Sequence, residues 1–589
     1  MAFGGVFSGA AQSDPVTFHE QVAPVLFRHC SPCHRPGQSA PFSLLSFADA
    51  KKHVRDLADV TARRFMPPWL PAAGHGEFIG ERRLTEAEIA VFARWHAAGA
   101  PEGDAAKAPP APVFSTEWQL GQPDLVIRMP AAYTVPAGGR DVYRHFILPL
   151  TMTNRRWVRA WEFRPNSRAV HHAFLRLDRS GEARRHDAQD PEPGFPGMDT
   201  PNSVESPNGH FASWQPGAVP RQNPPGLPWA LEPGADVVMQ MHLQPLGKPE
   251  PLQAELGFYF TEDPPTNRPV KLSLINYDVD LAPGVTNAVY RDELTLPADA
   301  DLLGLLPHTH YLGRRVEGLA ILPDGVEKSL LLIPDWDFNW QGDYTFRQPV
   351  FLPAGTRLVM RVTFDNSAAN PRNPANPPVR VQFGLNTTDE MAELWLQLLP
   401  RTTNGLAAFS RTNLERTVRD VRSFNLQRLR INPKDAAAMV NLGKAALSQG
   451  QRAEARTQFL RAVETQPELD DAHYFLGLIH RMENNPGAAA REFARTLELN
   501  PGHVRAHGNL GLMHFDYNRP ERAAEHFAKA VTLDPTDPIA HGMLGTIRLQ
   551  QGQWAEAEGL LAHAAELDPA DPEVRKKLET ARQRLKAGQ

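Results

Sequence analysis

Short alternating apolar and polar runs dominate the middle of the chain, residues 112–402. Asp236–Leu243 and Arg357–Phe364 are typical: each holds several Val, Leu or Met residues, and each is bounded by Pro, Gly or Asn. Runs of this length between turn residues predict antiparallel strands, and a series of them predicts β-sandwiches. The pattern divides this region into two domains, 112–265 and 266–403.

The pattern changes to a helical period after about residue 415, and it repeats. Proline, a Leu-Gly pair, alanine and a large apolar residue each recur every 34 positions: Pro433, Pro467, Pro501, Pro535 and Pro569; Gly443, Gly477, Gly511 and Gly545; Ala455, Ala489, Ala523 and Ala557; Phe459, Phe493, Phe527 and Leu561. This is the tetratricopeptide period, in which small residues let two helices approach closely. The sequence predicts an α-solenoid over 418–586 that ends in a capping helix at 572–586. Such a surface binds a protein partner, or it serves only packing or dimerisation.

A third pattern, of short helices, covers residues 15–104. Residues 16–29 and 84–98 are predicted to be helical, the second with Thr85 as N-cap. The first helix leads into Cys30-Ser-Pro-Cys33-His34. Two thiols at this spacing form thioethers to haem vinyl groups, and the following histidine becomes the proximal iron ligand. A thiol redox pair is the alternative, but no βαβ pattern follows. We therefore expect a small α-helical cytochrome c domain that carries one covalent haem.

The sixth haem ligand is less constrained by the sequence. Met66, in Met-Pro-Pro-Trp, is the only methionine between the haem motif and the end of this domain. A thioether ligand raises the haem potential and favours electron transfer. The segment resembles small cytochrome c domains in which such a loop precedes the last helix, and this resemblance supports Met66. A merely packed Met66 is the alternative, with three histidines as other possible ligands: His53, His75 and His96.

Composition indicates the cellular compartment and excludes several classes of protein. The chain has 589 residues, a net charge of −5 and only two cysteines, both in the haem motif, so a disulfide scaffold is excluded. The charge gives no reason to expect nucleic acid binding, and no apolar run is long enough to span a bilayer. Covalent haem attachment predicts a periplasmic or secreted bacterial protein. Residues 1–14 are either a signal remnant or a tail, and 105–112 is a stiff spacer.

Three histidine features lie in the β-rich region. His308 and His310 are two apart on a predicted strand, so they would share a face. His171 and His172 are adjacent, so they can share a metal only where a bulge turns both to one side. His242 lies in a further strand. Each feature alone has an ordinary structural reading, but together they favour a metal site, since imidazoles suit copper and zinc.

Residues 112–403 resemble the copper type II, ascorbate-dependent monooxygenases. The resemblance rests on a His-His pair, a Gln-x-His strand, His-Thr-His and the turn Thr387-Thr-Asp-Glu-Met391. It implies one copper on His171, His172 and His242, and a second copper on His308, His310 and Met391. It also implies two jelly-roll-like sandwiches across a solvent-filled cleft. The first copper would store an electron, and the second would bind O₂ and attack a substrate C–H bond.

The chain departs from this family at several positions. It has no cysteines for the family's disulfides. Leu306 stands where the peptide-amidating members have a carboxylate-binding arginine, which makes a peptide carboxylate a poor substrate prediction. Glu393 and Trp395 follow the methionine; either they select a cationic or flat group, or they are ordinary surface and core residues. His210 is a possible cleft residue, whereas His145 and His19 are expected to be structural.

Together these features predict an exported copper monooxygenase that receives electrons through its own haem. The expected partners are a small-molecule or peptide substrate, an external reductant and a protein bound by the repeats. Two alternatives stay open. One is a non-enzymatic periplasmic copper-binding or electron-relay scaffold. The other is a haem-bearing interaction protein with vestigial β-domains.

Overall fold

The computed structural model describes residues 15–36, 40–114, 118–197, 204–220 and 222–587. The predicted tail at 1–14 lies outside these ranges. The chain forms two compact units, Met1–Leu414 and Glu415–Gln589. In the described residues no helix has the length and hydropathy needed to cross a membrane.

The first unit begins with a small helical domain around the haem motif. The predicted helix at 16–29 is in fact two elements, a π-helical turn at Phe18–Val22 followed by an α-helix, because Val22 bonds back to the carbonyl of Thr17. The last helix starts with a capping box between Thr85 and Glu88, as the sequence predicts. The α-helices are α1 Ala23–His29, α2 Phe47–Lys52, α3 Val54–Ala62 and α4 Glu86–Ala97.

The first β-domain contains a four-stranded and a six-stranded antiparallel sheet, which confirms the predicted antiparallel β-structure. The four-stranded sheet has the order β1-β12-β4-β9; the other has the order β6-β3-β10-β5-β7, with β8 also on β5. A helix, α5, covers Glu182–Asp187. The strands are β1 Leu125–Arg128, β2 Tyr133–Val135, β3 Val142–Pro149, β4 Arg156–Arg164, β5 Val170–Asp178, β6 Phe195–Pro196, β7 Val204–Glu205, β8 Ser213–Trp214, β9 Trp229–Leu231, β10 Asp236–Leu243, β11 Glu250–Leu252 and β12 Glu255–Thr261.

The second β-domain packs two four-stranded antiparallel sheets, with the orders β13-β22-β16-β19 and β15-β20-β17-β18. Side chains from both sheets alternate into an apolar core, as in other sandwiches. The strands are β13 Val270–Ile275, β14 Asp280–Leu281, β15 Ala288–Thr295, β16 Ala300–His308, β17 Gly313–Ile321, β18 Glu327–Ile333, β19 Tyr344–Leu352, β20 Arg357–Phe364, β21 Val381–Gln382 and β22 Glu393–Pro400.

Residues 72–79 attach the helical domain to the edge of the second sandwich. The amide of Ala72 donates to the carbonyl of Leu332 at 2.7 Å, and that of Ile79 donates to Thr345 at 2.9 Å. Phe78 forms a β-bridge with Phe346. These backbone bonds fix the helical domain on the sandwich, although the sequence of the spacer at 105–112 permits many poses.

A long helix, α6, covers Thr403–Ile431, so helical structure begins before residue 415, where the sequence pattern placed it. Nine helices complete the second unit as antiparallel pairs and a last helix: α7 Ala436–Ser448, α8 Arg452–Thr465, α9 Asp470–Met482, α10 Pro486–Leu499, α11 Val504–Asp516, α12 Pro520–Leu533, α13 Pro538–Gln550, α14 Trp554–Leu567 and α15 Pro572–Ala587.

The predicted helix crossings lie where the repeat pattern puts them. A Cβ atom at Gly477 would lie 2.6 Å from the ring of Phe493, and one at Gly511 would lie 2.9 Å from Phe527. Gly443 and Gly545 make the same close approach in their own repeats. Glycine is therefore needed for the helices of each pair to pack at this distance.

Candidate metal centres

A β-bulge brings His171 and His172 to the same side of the first sandwich. In the pairing of β10 with β5, His242 lies opposite His172 and Leu243 lies opposite Val170. His171 is therefore the extra residue of the bulge, and the regular alternation of faces is broken at this point. This is the local distortion that the adjacent histidines require.

The three imidazoles of this first centre converge. Nδ1 of His242 lies 3.2 Å from Nδ1 of His171 and 3.2 Å from Nε2 of His172. One ligand atom from each lies within 4.8 Å of the others. Two imidazole nitrogens bound to one ion at ~2.0 Å in tetrahedral geometry lie about 3.3 Å apart, so the spacing fits a bound ion. Nε2 of His171 and Nδ1 of His172 are buried and have no partner among the described residues.

A carboxylate orients the third histidine. Nε2 of His242 donates to the Asp141 carboxylate at 2.7 Å, which leaves Nδ1 for the ion, and this hydrogen bond lowers the pKa of Asp141. Burial, with a further contribution from His242, lowers the pKa of His171 to about 4. The pKa of His172 is well below its usual value for the same reasons. The imidazoles of His171 and His172 are therefore neutral at pH 7, the form that binds metal.

The second centre is built differently from the sequence prediction. Strand β16 ends at His308, so His308 and His310 do not share a strand face. The buried carboxylate of Glu390 accepts from the amides of His310 and Leu312 and from the hydroxyl of Thr309, at 2.6–3.0 Å. These bonds take the backbone out of the strand ladder. The two imidazole rings nevertheless lie 5.1 Å apart.

Both imidazoles of this second centre are anchored through Nδ1. His308 Nδ1 lies 2.6 Å from Oε1 of Gln341, and His310 Nδ1 donates to the carbonyl of Asp389 at 2.9 Å. Nε2 of each ring is left for an ion, the arrangement usual for histidine ligands. Met391 follows Glu390 directly and is 7% exposed. Two imidazoles and a thioether are a donor set that suits copper better than zinc.

Phe338 lies between the two centres. Its ring, 2% exposed, has its centroid 5.9 Å from His171 and 6.5 Å from His242 on one side, and 5.5 Å from His310 on the other. Asp337 caps a 3₁₀ turn that carries this ring inward. Phe338 therefore contacts imidazoles of both centres, and the solvent-filled cleft stays a prediction.

The haem motif lies against the first sandwich. Cys33 is so close to Gly217 that a Cβ there would be 2.8 Å from the sulfur, and Cys30 is buried. Burial raises the pKa of Cys30 to about 12 and also raises that of Cys33, which is unfavourable for a thiol redox pair. Nδ1 of His34 is buried without a partner in the described residues. Two free thiols and this imidazole fit a covalent haem.

The candidates for the sixth haem ligand lie in different parts of the structure. His75 donates to or accepts from the hydroxyl of Ser329 at 2.7 Å, in the second sandwich, and His96 is exposed. The ring of Phe42 stacks on His53 at 3.9 Å and packs against His34 at 4.6 Å. Met66 is half-buried in the loop after α3. The sixth ligand stays a prediction.

An aromatic contact joins this loop to the histidine centres. Phe65, next to Met66, has its ring centroid 6.4 Å from that of Trp340. Trp340 belongs to the same 3₁₀ turn as Phe338, and Gln341, which bonds His308, follows it. The segment 338–341 therefore contacts the helical domain and both histidine centres.

Several of these residues were not foreseen from the sequence. Asp141, Gln341 and Glu390 each bond a histidine segment, and Phe338 separates the two centres. The sequence signal was weak, since a single acid, amide or phenylalanine is common in loops. Of these four residues, Glu390 alone lies in a motif that the sequence singles out, the turn that ends at Met391.

The other singled-out residues lie along the facing sheets. Glu393 lies opposite His308 in the ladder, and Leu306 lies opposite Trp395. Trp395 donates to the Glu393 carboxylate at 2.9 Å. Burial lowers the pKa values of His210 and His145 to about 4, and His145 packs flat on Phe195.

The repeat region matches a known family. Residues 440–490, 483–538 and 514–581 match the tetratricopeptide repeat family. A crystal structure of MamA is 22% identical and covers 27% of this chain and 94% of its own, with a TM-score of 0.24. A structure of Pseudomonas aeruginosa pilF is 24% identical and covers 26% and 72%, with a TM-score of 0.24. No curated protein matches the chain.

Proposed function

We propose that this chain, whose C-terminal region consists of tetratricopeptide repeats, is an exported copper monooxygenase that hydroxylates a C–H bond and receives electrons through a covalent haem. The observation that carries the proposal is the convergence of His171, His172 and His242, with 3.2 Å between nitrogens, beside the His308 and His310 pair. When bound, copper supplies O₂ activation and electron storage, and haem c supplies one-electron transfer.

The chain's own residues divide the work between the centres. His171, His172 and His242 would hold the first ion with three imidazole nitrogens and no thioether, a donor set that suits copper in its role as an electron store. His308, His310 and Met391 would hold the second ion with an open side. Gln341 and Asp389 keep the two imidazoles in the tautomer that offers Nε2.

The contacts of the haem motif support its proposed role as the point where electrons enter the protein. Cys33 packs on the Gly217 loop, and Gln215 of that loop packs against Gly342. Phe65, Trp340 and Phe338 add aromatic contacts from the Met66 loop towards the histidines. The buried ring of Phe338 contacts imidazoles of both centres. The proposal places the protein in the periplasm or outside the cell, where covalent haem is attached.

The repeats extend the proposal to a protein partner. Tetratricopeptide arrays present a concave surface that is used for binding other proteins. Such binding would bring the oxygenase to its reductant or to the source of its substrate.

The test is ¹⁸O₂ incorporation by protein loaded with copper and haem. A panel of alkyl and aryl acids, amides and amines is supplied with ascorbate as the electron source. We expect one ¹⁸O atom in a hydroxylated product, and loss of that product in Met391→Ala while copper stays at the first centre. Copper binding without any labelled product would favour the electron-relay scaffold instead.

A further inference from the structure

Two cations face each other between the sandwiches without acidic partners in contact. The Arg176 guanidinium bonds Oε1 of Gln240 at 3.2 Å, and its Nε is buried with no partner among the described residues. The Lys271 ammonium donates to the Ser206 hydroxyl at 2.7 Å and lies 4.9 Å from the ring centre of Trp395. In the described parts of the chain, neither cation forms an ion pair within 4.0 Å. Enclosed, unpaired charges are costly, so proteins seldom retain them without a use.

The ladders place these cations in line with the metal centres. On β5, His172, Phe174 and Arg176 alternate along one face, and four residues of strand span ~13 Å. On the facing sheet, Lys271 lies opposite Gln397 on β22. Arg176 and Lys271 therefore lie at one end of the facing surfaces, and the histidines lie at the other.

The surface between the two ends carries aromatic and aliphatic side chains, with Gln240 beside Phe174 and Ser273 beside Trp395. Phe174 lies on the β5 side, and Leu306 and Trp395 lie opposite each other on the β16 and β22 side. His308 follows Leu306 on the same face, two residues along. A molecule that ran along this surface would thus pass from two cations, over aromatic side chains, to the second centre.

Burial and mutual repulsion act on the two cations at the far end. Burial, then repulsion from Arg176, lowers the pKa of Lys271 to about 7, and Glu393 acts in the opposite direction. Burial also lowers the pKa of Arg176. Glu393 accepts a hydrogen bond from Trp395 and acts on Lys271 only through its charge, with no ion pair within 4.0 Å between these two described residues.

We infer that Arg176 and Lys271 bind the carboxylate of an elongated substrate, an organic monoacid with an apolar or aromatic body. The carboxylate would accept hydrogen bonds from the guanidinium and the ammonium. The body would pack on Phe174 and Trp395, and the far carbon would lie at His308 and His310. The identity of the reacting end rests on the proposed function; the anion site itself does not.

The test uses ω-phenylalkanoates with chains of three to six carbons, each paired with its neutral amide. Binding to the full chain, loaded with copper and haem, is measured by isothermal calorimetry. We expect at least one acid to bind ~10-fold or more tightly than its amide, because hydrogen bonds to charged groups are the stronger kind. Arg176→Gln and Lys271→Gln should each remove most of this preference, while Arg176→Lys should keep part of it.

The matched control is Arg179→Gln, an exposed arginine just after the same strand, which should leave the preference unchanged. Equal affinity for every acid and its amide would overturn the inference, as would an equal loss in the control variant. Acid-selective binding without labelled product from any compound would leave the anion site standing and remove the proposed function. Hydroxylation without a preference for the acid over the amide would overturn the anion site and leave the proposed function standing.

Discussion

The two histidine centres solve the same problem in different ways. In the first, three imidazoles contact one another, and only His242 is oriented by a carboxylate, Asp141. In the second, His308 and His310 are each fixed through Nδ1 by an acceptor of the protein, Gln341 or Asp389. The first centre is a set of three converging imidazoles, whereas the second is a pair of imidazoles that are each fixed by an acceptor of the protein.

We expect the first centre to hold an ion that stores an electron, and the second centre to hold the ion that reacts. Three converging imidazoles supply an all-nitrogen donor set for an ion. A braced pair with a thioether keeps its geometry while another molecule enters. The comparison therefore predicts that changes at the second centre act mainly on turnover, and that changes at the first act mainly on ion binding.

The largest effect is expected for Met391→Ala. Loss of the thioether should lower turnover at least ~100-fold, since even residues that only orient ligands contribute 10–100-fold. Electron paramagnetic resonance of the first centre should stay unchanged, because its three imidazoles are untouched. Unchanged turnover would remove the second centre from the proposed chemistry.

At the first centre, Asp141→Asn should weaken copper binding by ~10–100-fold, because the carboxylate sets the tautomer of His242. Competition with a chelator of known affinity measures this loss. Asp263→Asn, an exposed carboxylate in the same domain, is the control and should bind copper like the unchanged chain. If the unchanged chain, Asp141→Asn and Asp263→Asn bind copper with equal affinity, Asp141 does not orient the His242 ligand.

Glu390→Ala should lower the free energy of unfolding of the β-rich unit by about 2–4 kcal/mol. The substitution leaves two buried amides and the Thr309 hydroxyl without their acceptor. The denaturation midpoint of this unit checks the change, with exposed Glu327→Ala as the control. A shift no larger than that of the control would show that another group holds His310 in place.

The smallest effect on structure is expected for Trp340→Leu. This change removes an aromatic contact between the Met66 loop and the segment that carries Phe338. We expect slower transfer of an electron from photoreduced haem to copper, followed by haem absorbance, with copper content unchanged. Trp554→Leu in the repeat unit should transfer electrons at the original rate. The same rate in both variants would exclude this segment as a route.

The repeats could be predicted because their determinants are local and recur. Gly511 and Phe527 meet within one helix pair, and the same pair of residue types returns in other repeats. The bulge at His171 was also foreseeable, since adjacent histidines cannot otherwise share an ion. Both inferences need only short-range geometry.

The surroundings of the centres could not be predicted because they come from distant segments. Asp141 reaches His242 across 101 positions, and Glu390 reaches His310 across 80. The alternation rule failed at His310, since a buried carboxylate outweighs the strand ladder there. Phe338 contacts both centres from a loop whose sequence shows no metal-binding pattern.

The central claim is best tested by copper analysis combined with X-ray absorption at the copper edge, on the full chain loaded with haem. The account predicts two copper ions per chain, with nitrogen ligands to both and a sulfur ligand to one. The sulfur signal should disappear in Met391→Ala. One haem with no tightly bound copper, or two coppers without sulfur, would contradict it.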